Sequence, residues 1–80
     1  MRELKAGDQV RVLFPFKAED AKELSVSENE KLMVQEVMGQ WVFVTSLERM
    51  GQSGFVPVGF LDHILEEGIW RRRPTFQDLI

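Results

Sequence analysis

The 80-residue sequence predicts a single small all-β domain, a barrel of five short antiparallel strands. Three observations support this. Apolar side chains recur two residues apart in several short runs. One run, Trp41-Val42-Phe43-Val44-Thr45, is almost wholly β-branched and aromatic. Turn-forming residues punctuate the runs.

The elements follow in chain order. Val10, Val12 and Phe14 alternate with Arg11 and Leu13, as in a strand with one face inward, and Pro15, lacking an N–H, ends its regular pairing. From Ala18 to Glu30 the chain is polar, a long excursion that touches the core through Leu24 and Val26. Leu32 and Val34 mark a second strand within 31–36, and Met38-Gly39-Gln40 is a short connection to the strand 41–45. Glu48-Arg49-Met50-Gly51 forms a turn in which Gly51 is free to take positive φ, residues 52–57 return as the fourth strand, and 61–64 add a last short one. The expected core is Val10, Val12, Leu24, Val26, Leu32, Val34, Val44, Val56 and Leu61, enclosed by two orthogonally packed sheets. The domain organisation is therefore 1–8 as an N-terminal flank, 9–64 as the barrel and 65–80 as a C-terminal extension.

Composition narrows the function classes. Without cysteine, neither a disulfide framework nor a thiolate metal site contributes, so the core alone must hold the fold; this fits a cytoplasmic setting. No apolar run approaches the roughly 20 residues a membrane span needs, and the charged N-terminus is followed by no apolar stretch of a signal peptide. Residues 1–70 hold seven bases against twelve acids, net −5, whereas 71–80 carry three arginines and one aspartate, net +2. An acidic body argues against nucleic acid as a partner, because phosphate binding draws on clustered Lys and Arg.

Residues 10–64 resemble an SH3 (Src-homology 3) domain along nearly their whole length. Val12-Leu13-Phe14-Pro15-Phe16 stands where that family has Ala-Leu-Tyr-Asp-Tyr, and Glu23-Leu24-Ser25-Val26 matches the end of its acidic loop. Trp41 follows the short second loop, and Gly54-Phe55-Val56-Pro57-Val58-Gly59-Phe60-Leu61 matches the closing Gly-x-x-Pro-x-Asn-Tyr-Val pattern. The resemblance implies a five-stranded SH3-like barrel with no catalytic activity. It also implies a protein-interaction role, as an adaptor in signalling, cytoskeletal or trafficking assembly. The ligand-binding residues it implies are an aromatic groove of Phe14, Phe16, Trp41, Pro57 and Phe60, with Glu19, Asp20 and Glu23 supplying negative charge. Such a groove takes polyproline II peptides, which have already lost much chain entropy and present flat apolar faces, while the acids pair with a ligand Arg or Lys. Residues 19–30 hold five acids and one lysine.

This sequence departs from the family pattern in one consistent way. It contains no tyrosine; positions 14, 16 and 60 are phenylalanine, and Gly59 replaces the usual asparagine. The hydroxyls and amide thus removed normally bond peptide carbonyls, at about 0.5–1.5 kcal/mol each. Losing two or three predicts binding weaker by roughly one to three powers of ten, absent compensation. The alternative is a partner other than a PxxP peptide: ubiquitin, since some ubiquitin-binding SH3 domains carry phenylalanine where Phe60 stands, a folded domain, or the chain's own C-terminal tail.

Other chemistry finds no foothold. His63 lacks a ligand set at metal-binding spacing, no serine sits in a nucleophile turn, and Gly51-Gln52-Ser53-Gly54 lacks the lysine and length of a phosphate loop. No enzyme activity, cofactor or metal is expected. The extension, with Ile69, Trp70, Arg71-Arg72-Arg73-Pro74 and Phe76, is expected to extend the domain structurally, with Trp70 packing on the barrel. Occupation of the groove by the same segment, or a tail-mediated dimer, is the alternative to a free monomer.

Overall fold

Period-two alternation sends one set of side chains inward from every strand. In the computed structural model, which describes residues 3–64, β1 (Gln9–Val12) buries Val10 and Val12, and β2 (Lys31–Met38) buries Leu32 and Val34. β3 (Trp41–Ser46) buries Val42, Val44 and Ser46, β4 (Ser53–Pro57) buries Val56, and β5 (Leu61–His63) buries Leu61. Leu24 and Val26 complete the core from the long loop. All nine residues expected in the core lie there, joined by Val42, which shares the inward face of β3 with Val44. Each fully buried Val or Leu contributes about 1.5–3 kcal/mol relative to exposure.

The strands pair in the order β4-β3-β2-β1-β5, all antiparallel. They form one hydrogen-bonded series in which β2 is common to both expected halves. That strand is eight residues long and runs to Met38 rather than stopping at Glu36. Its first half pairs with both β1 and β3, and its second half with β3 alone. A register shift between Val34 and Glu36 marks where it changes partners; such an extra residue bends a strand and lets one sheet curl round a core. The β2–β3 turn is correspondingly tight, with Gly39 at φ 63°.

Two loops are tied into this sheet. The long loop between β1 and β2 is pinned by the reciprocal pair Phe16 N–H to Val26 O (3.0 Å) and Val26 N–H to Phe16 O (2.9 Å). Near its tip, the Leu24 N–H donates to Phe55 O and the Phe55 N–H to Lys22 O, fastening it to the free edge of β4. At its end, Glu30 is buried at 5% exposure and accepts from the Ser27 N–H (3.0 Å), the Ser46 hydroxyl (2.8 Å) and Arg49 Nε (2.8 Å). Arg49 also donates to Ser25 O, joining the β3–β4 hairpin to the loop. Burial pushes the Glu30 carboxyl up, but these bonds and the Arg49 charge outweigh it, so its pKa lies below the ordinary value.

Between β4 and β5, Val58–Phe60 form one turn of 3₁₀ helix that period-two reasoning does not foresee. It begins at Pro57, whose fixed φ of −64° suits the end of an edge strand where no ladder N–H is required. The expected extension, 65–80, lies outside the described residues.

Candidate functional site

The outward faces that the core leaves behind carry the aromatic residues. On β3 the inward Val42 and Val44 oblige Trp41 and Phe43 to point away, and on β4 the inward Val56 does the same to Phe55 and Pro57. Trp41 and Pro57 are register partners across the two strands, which sets them side by side at one end of the sheet.

Backbone bonds bring three phenylalanines to the same place. The Leu13 N–H donates to Phe60 O at 2.7 Å, holding the 3₁₀ turn against the segment that carries Phe14, and the Phe16–Val26 bridge fixes Phe16. The rings then form an unbroken edge-to-face row. Phe14 and Phe60 have centroids 6.0 Å apart, Phe60 and Phe16 5.6 Å, and Phe16 and Trp41 6.1 Å, with interplanar angles of 88°, 75° and 67°. Such T-shaped contacts contribute about 0.5–1.5 kcal/mol beyond area burial and hold the rings in fixed relative orientation. Phe14 is 57% exposed and Trp41 37%, while Phe16 and Phe60 are half-buried and also pack on the core. The five residues expected to form an apolar groove therefore converge.

The acids are arranged less simply. Asp20 and Glu23 line a depression of about 280 Å³ beside the groove, shared with Trp41. Glu19 is exposed but is not part of this lining. Each of the two lining acids also serves its own loop: Glu23 Oε1 accepts from the Glu19 N–H (2.7 Å), and Asp20 Oδ1 from the Lys22 N–H (2.8 Å). One oxygen of each carboxylate thereby helps to hold the shape of its own loop.

Three further lining residues, Lys22, Met38 and Phe55, were not anticipated. Phe55 was legible by alternation from Val56, whereas Met38 became a strand residue only because β2 is longer than its sequence pattern. Lys22, the one lysine counted with the five acids of residues 19–30, stands in this lining beside Asp20 and Glu23.

His63 lies away from this row. Its Nε2 is 2.9 Å from Asp8 Oδ2, and both side chains are largely buried. Among the described residues no cluster of three or more His, Cys, Asp or Glu side chains has the geometry to hold a metal ion, and no helix is long and apolar enough to cross a membrane.

Sequence and structure comparisons place the fold among known ones. The sequence model of the SH3 domain matches residues 11–58. The C-terminal SH3 domain of myosin IB from Entamoeba histolytica is similar at 27% identity and TM-score 0.69, over 79% of this chain and 94% of that one. The same myosin domain bound to an EhFP10(GEF) peptide matches at 26% identity and TM-score 0.69, over 78% and 100% of the two chains. The yeast Nbp2p SH3 domain in complex with a peptide from Ste20p superposes with TM-score 0.71 over 79% of this chain and 94% of that one; at 22% identity this likeness concerns the fold alone. No curated protein sequence matches at a significant level.

Proposed function

The chain belongs to the SH3 domain family, and from that premise we propose that its aromatic groove binds short proline-rich or basic peptide segments of other proteins. SH3 domains are in general non-catalytic interaction modules. The observation that carries the reading is the row Phe14–Phe60–Phe16–Trp41, exposed at its two ends, lying next to a depression lined by Asp20 and Glu23. The rings offer flat apolar walls to a polyproline helix, and the carboxylates offer a partner to a flanking arginine. The similar myosin IB domain seen with an EhFP10(GEF) peptide supports a peptide as the class of ligand. Trp41, at 37% exposure, is open to a ligand rather than sealed against another part of the described chain.

The groove keeps its apolar half and lacks its hydroxyls, so affinity is expected to be micromolar or weaker. An adaptor role in a cytoplasmic signalling, cytoskeletal or trafficking assembly belongs to the same proposal. The exposed Phe14 and Met38, at 57% and 52%, favour a second reading in which the partner presents a more apolar surface, such as a folded domain or ubiquitin.

An amide chemical-shift titration of the full chain with an arginine-flanked PxxP peptide tests the proposal. Saturable shifts at Trp41, Phe60 and Glu23 are expected. A folded spectrum that stays silent at millimolar peptide would overturn the proline-rich reading, and the same titration with ubiquitin would then decide the second.

A further inference from the structure

A second concavity lies on another side of the 3₁₀ turn from the aromatic groove. Leu4 of the N-terminal flank, Leu13, Val37 near the end of β2, and Val58 form its walls, and Glu3 and Asp62 add negative charge. Its volume is about 740 Å³, within the roughly 300–1,000 Å³ range of ligand-sized pockets. Val37 is 39% exposed, and Leu4, Leu13 and Val58 are half-buried, so the cleft presents apolar surface that the described residues leave uncovered.

We propose that this cleft is the docking site of the chain's own segment 65–80, with Trp70 seated among Leu4, Leu13, Val37 and Val58. Continuity is the first argument. Leu61, Asp62 and His63 all line the cleft, and the Ile64 N–H is fixed to Gln9 O at 2.9 Å, so the segment leaves β5 at the rim. Length is the second. Trp70 lies six residues beyond Ile64, a reach of up to about 20 Å when extended, which suffices for a site beginning at its own point of departure.

Chemistry is the third. Ile69 and Trp70 are large apolar groups matching the walls, and Arg71-Arg72-Arg73 follow at once, so seating the indole brings the guanidinium groups to the rim with Glu3 and Asp62. Asp62 already faces Arg11 at 3.2 Å with both side chains about half exposed, a solvated pair that a second arginine can join. The aromatic groove offers this segment less: it carries one proline, so no PxxP register exists, and the acids beside that groove are partly engaged by their own loop.

The protein has two tryptophans, so Trp41→Phe in the full chain leaves Trp70 as the sole reporter. Its emission is expected to be blue-shifted, with acrylamide quenching severalfold weaker than for free tryptophan and unchanged on dilution. In the same background Val37→Asp, at a position exposed enough to tolerate charge, should restore water-like emission while the domain stays folded. Separately, Trp70→Ala in the wild-type chain should move the amides of Leu4, Leu13, Gly39, Gly59 and His63. Water-like emission before any further substitution would overturn the proposal. So would emission that reddens on dilution, which assigns the cleft to a second copy, or amide changes centred on Phe14, Trp41 and Glu23, which assign the segment to the aromatic groove.

Discussion

Gly54 is where the acidic loop rests on the sheet, and replacing it with alanine should loosen both. A Cβ at this position would lie 3.0 Å from the Glu23 carbonyl carbon, 3.0 Å from Leu24 N and 3.0 Å from Leu24 Cβ. Ordinary carbon contacts begin about 0.4 Å further out, and two of the three obstructing atoms are backbone, so no rotamer change relieves the clash. The loop must lift, and the bonds that hold it, Leu24 N–H to Phe55 O at 3.0 Å and Phe55 N–H to Lys22 O at 2.9 Å, would stretch towards the limit of hydrogen bonding. Overpacking of this kind costs about 1–3 kcal/mol. Alanine recovers about 0.4–1 kcal/mol by restricting the unfolded chain. The net expectation is a loss of about 1–2 kcal/mol, or about 1–2 M in urea midpoint at an m-value near 1 kcal/mol/M.

Gly59→Ala provides the control in the same protein. Nothing lies within 4 Å of its Cβ position and its φ is not in the left-handed region, so only the unfolded-state gain remains. Urea denaturation of both variants, with amide spectra of Asp20 to Leu24, makes the comparison. A Gly54→Ala midpoint equal to or above that of Gly59→Ala would refute the close-approach argument, as would an unmoved acidic loop.

Three other perturbations follow from the same structure. Glu30→Gln places an amide donor against the Ser27 N–H or the Ser46 and Arg49 donors, and should cost about 1–3 kcal/mol at neutral pH. Because the folded carboxyl lies below its ordinary value of 4.5, its contribution is complete above that value and is lost as pH falls below it. Denaturation curves of the variant between neutral and acid pH should therefore be flatter than wild type, and parallel curves would contradict the assignment. Phe14→Tyr and Phe60→Tyr restore hydroxyls beside a bound peptide and should each tighten an arginine-flanked PxxP peptide roughly two- to tenfold by calorimetry; no gain from either would count against such a peptide lying along these rings. Leu32→Ala empties part of the core at a position with no exposure and should cost about 2–5 kcal/mol, a large part of a small domain's stability, read from its thermal or urea midpoint.

The sequence alone determined the strand count, the inward set of valines and leucines, and the kinds of residue left to face outward. Those properties are local: a side chain two positions along a strand returns to the same face whatever the strand pairs with. Hence Val10, Val12, Leu32, Val34, Val44 and Val56 were legible as core, and Trp41 and Pro57 as outward residues that the register sets side by side. Only the tertiary structure decided what depends on partners far apart in the chain. The register shift at Val34–Glu36 arises where β2 passes from two neighbours to one. Glu30 is buried because Ser46 and Arg49, 16 and 19 residues away, bring it donors. Glu23 and Asp20 count as two negative charges in the sequence, but in the fold their own loop claims one oxygen of each and Lys22 stands beside them. Alternation fixes which way a residue points; where charge is spent depends on which distant backbone and side-chain groups the curled sheet sets against it.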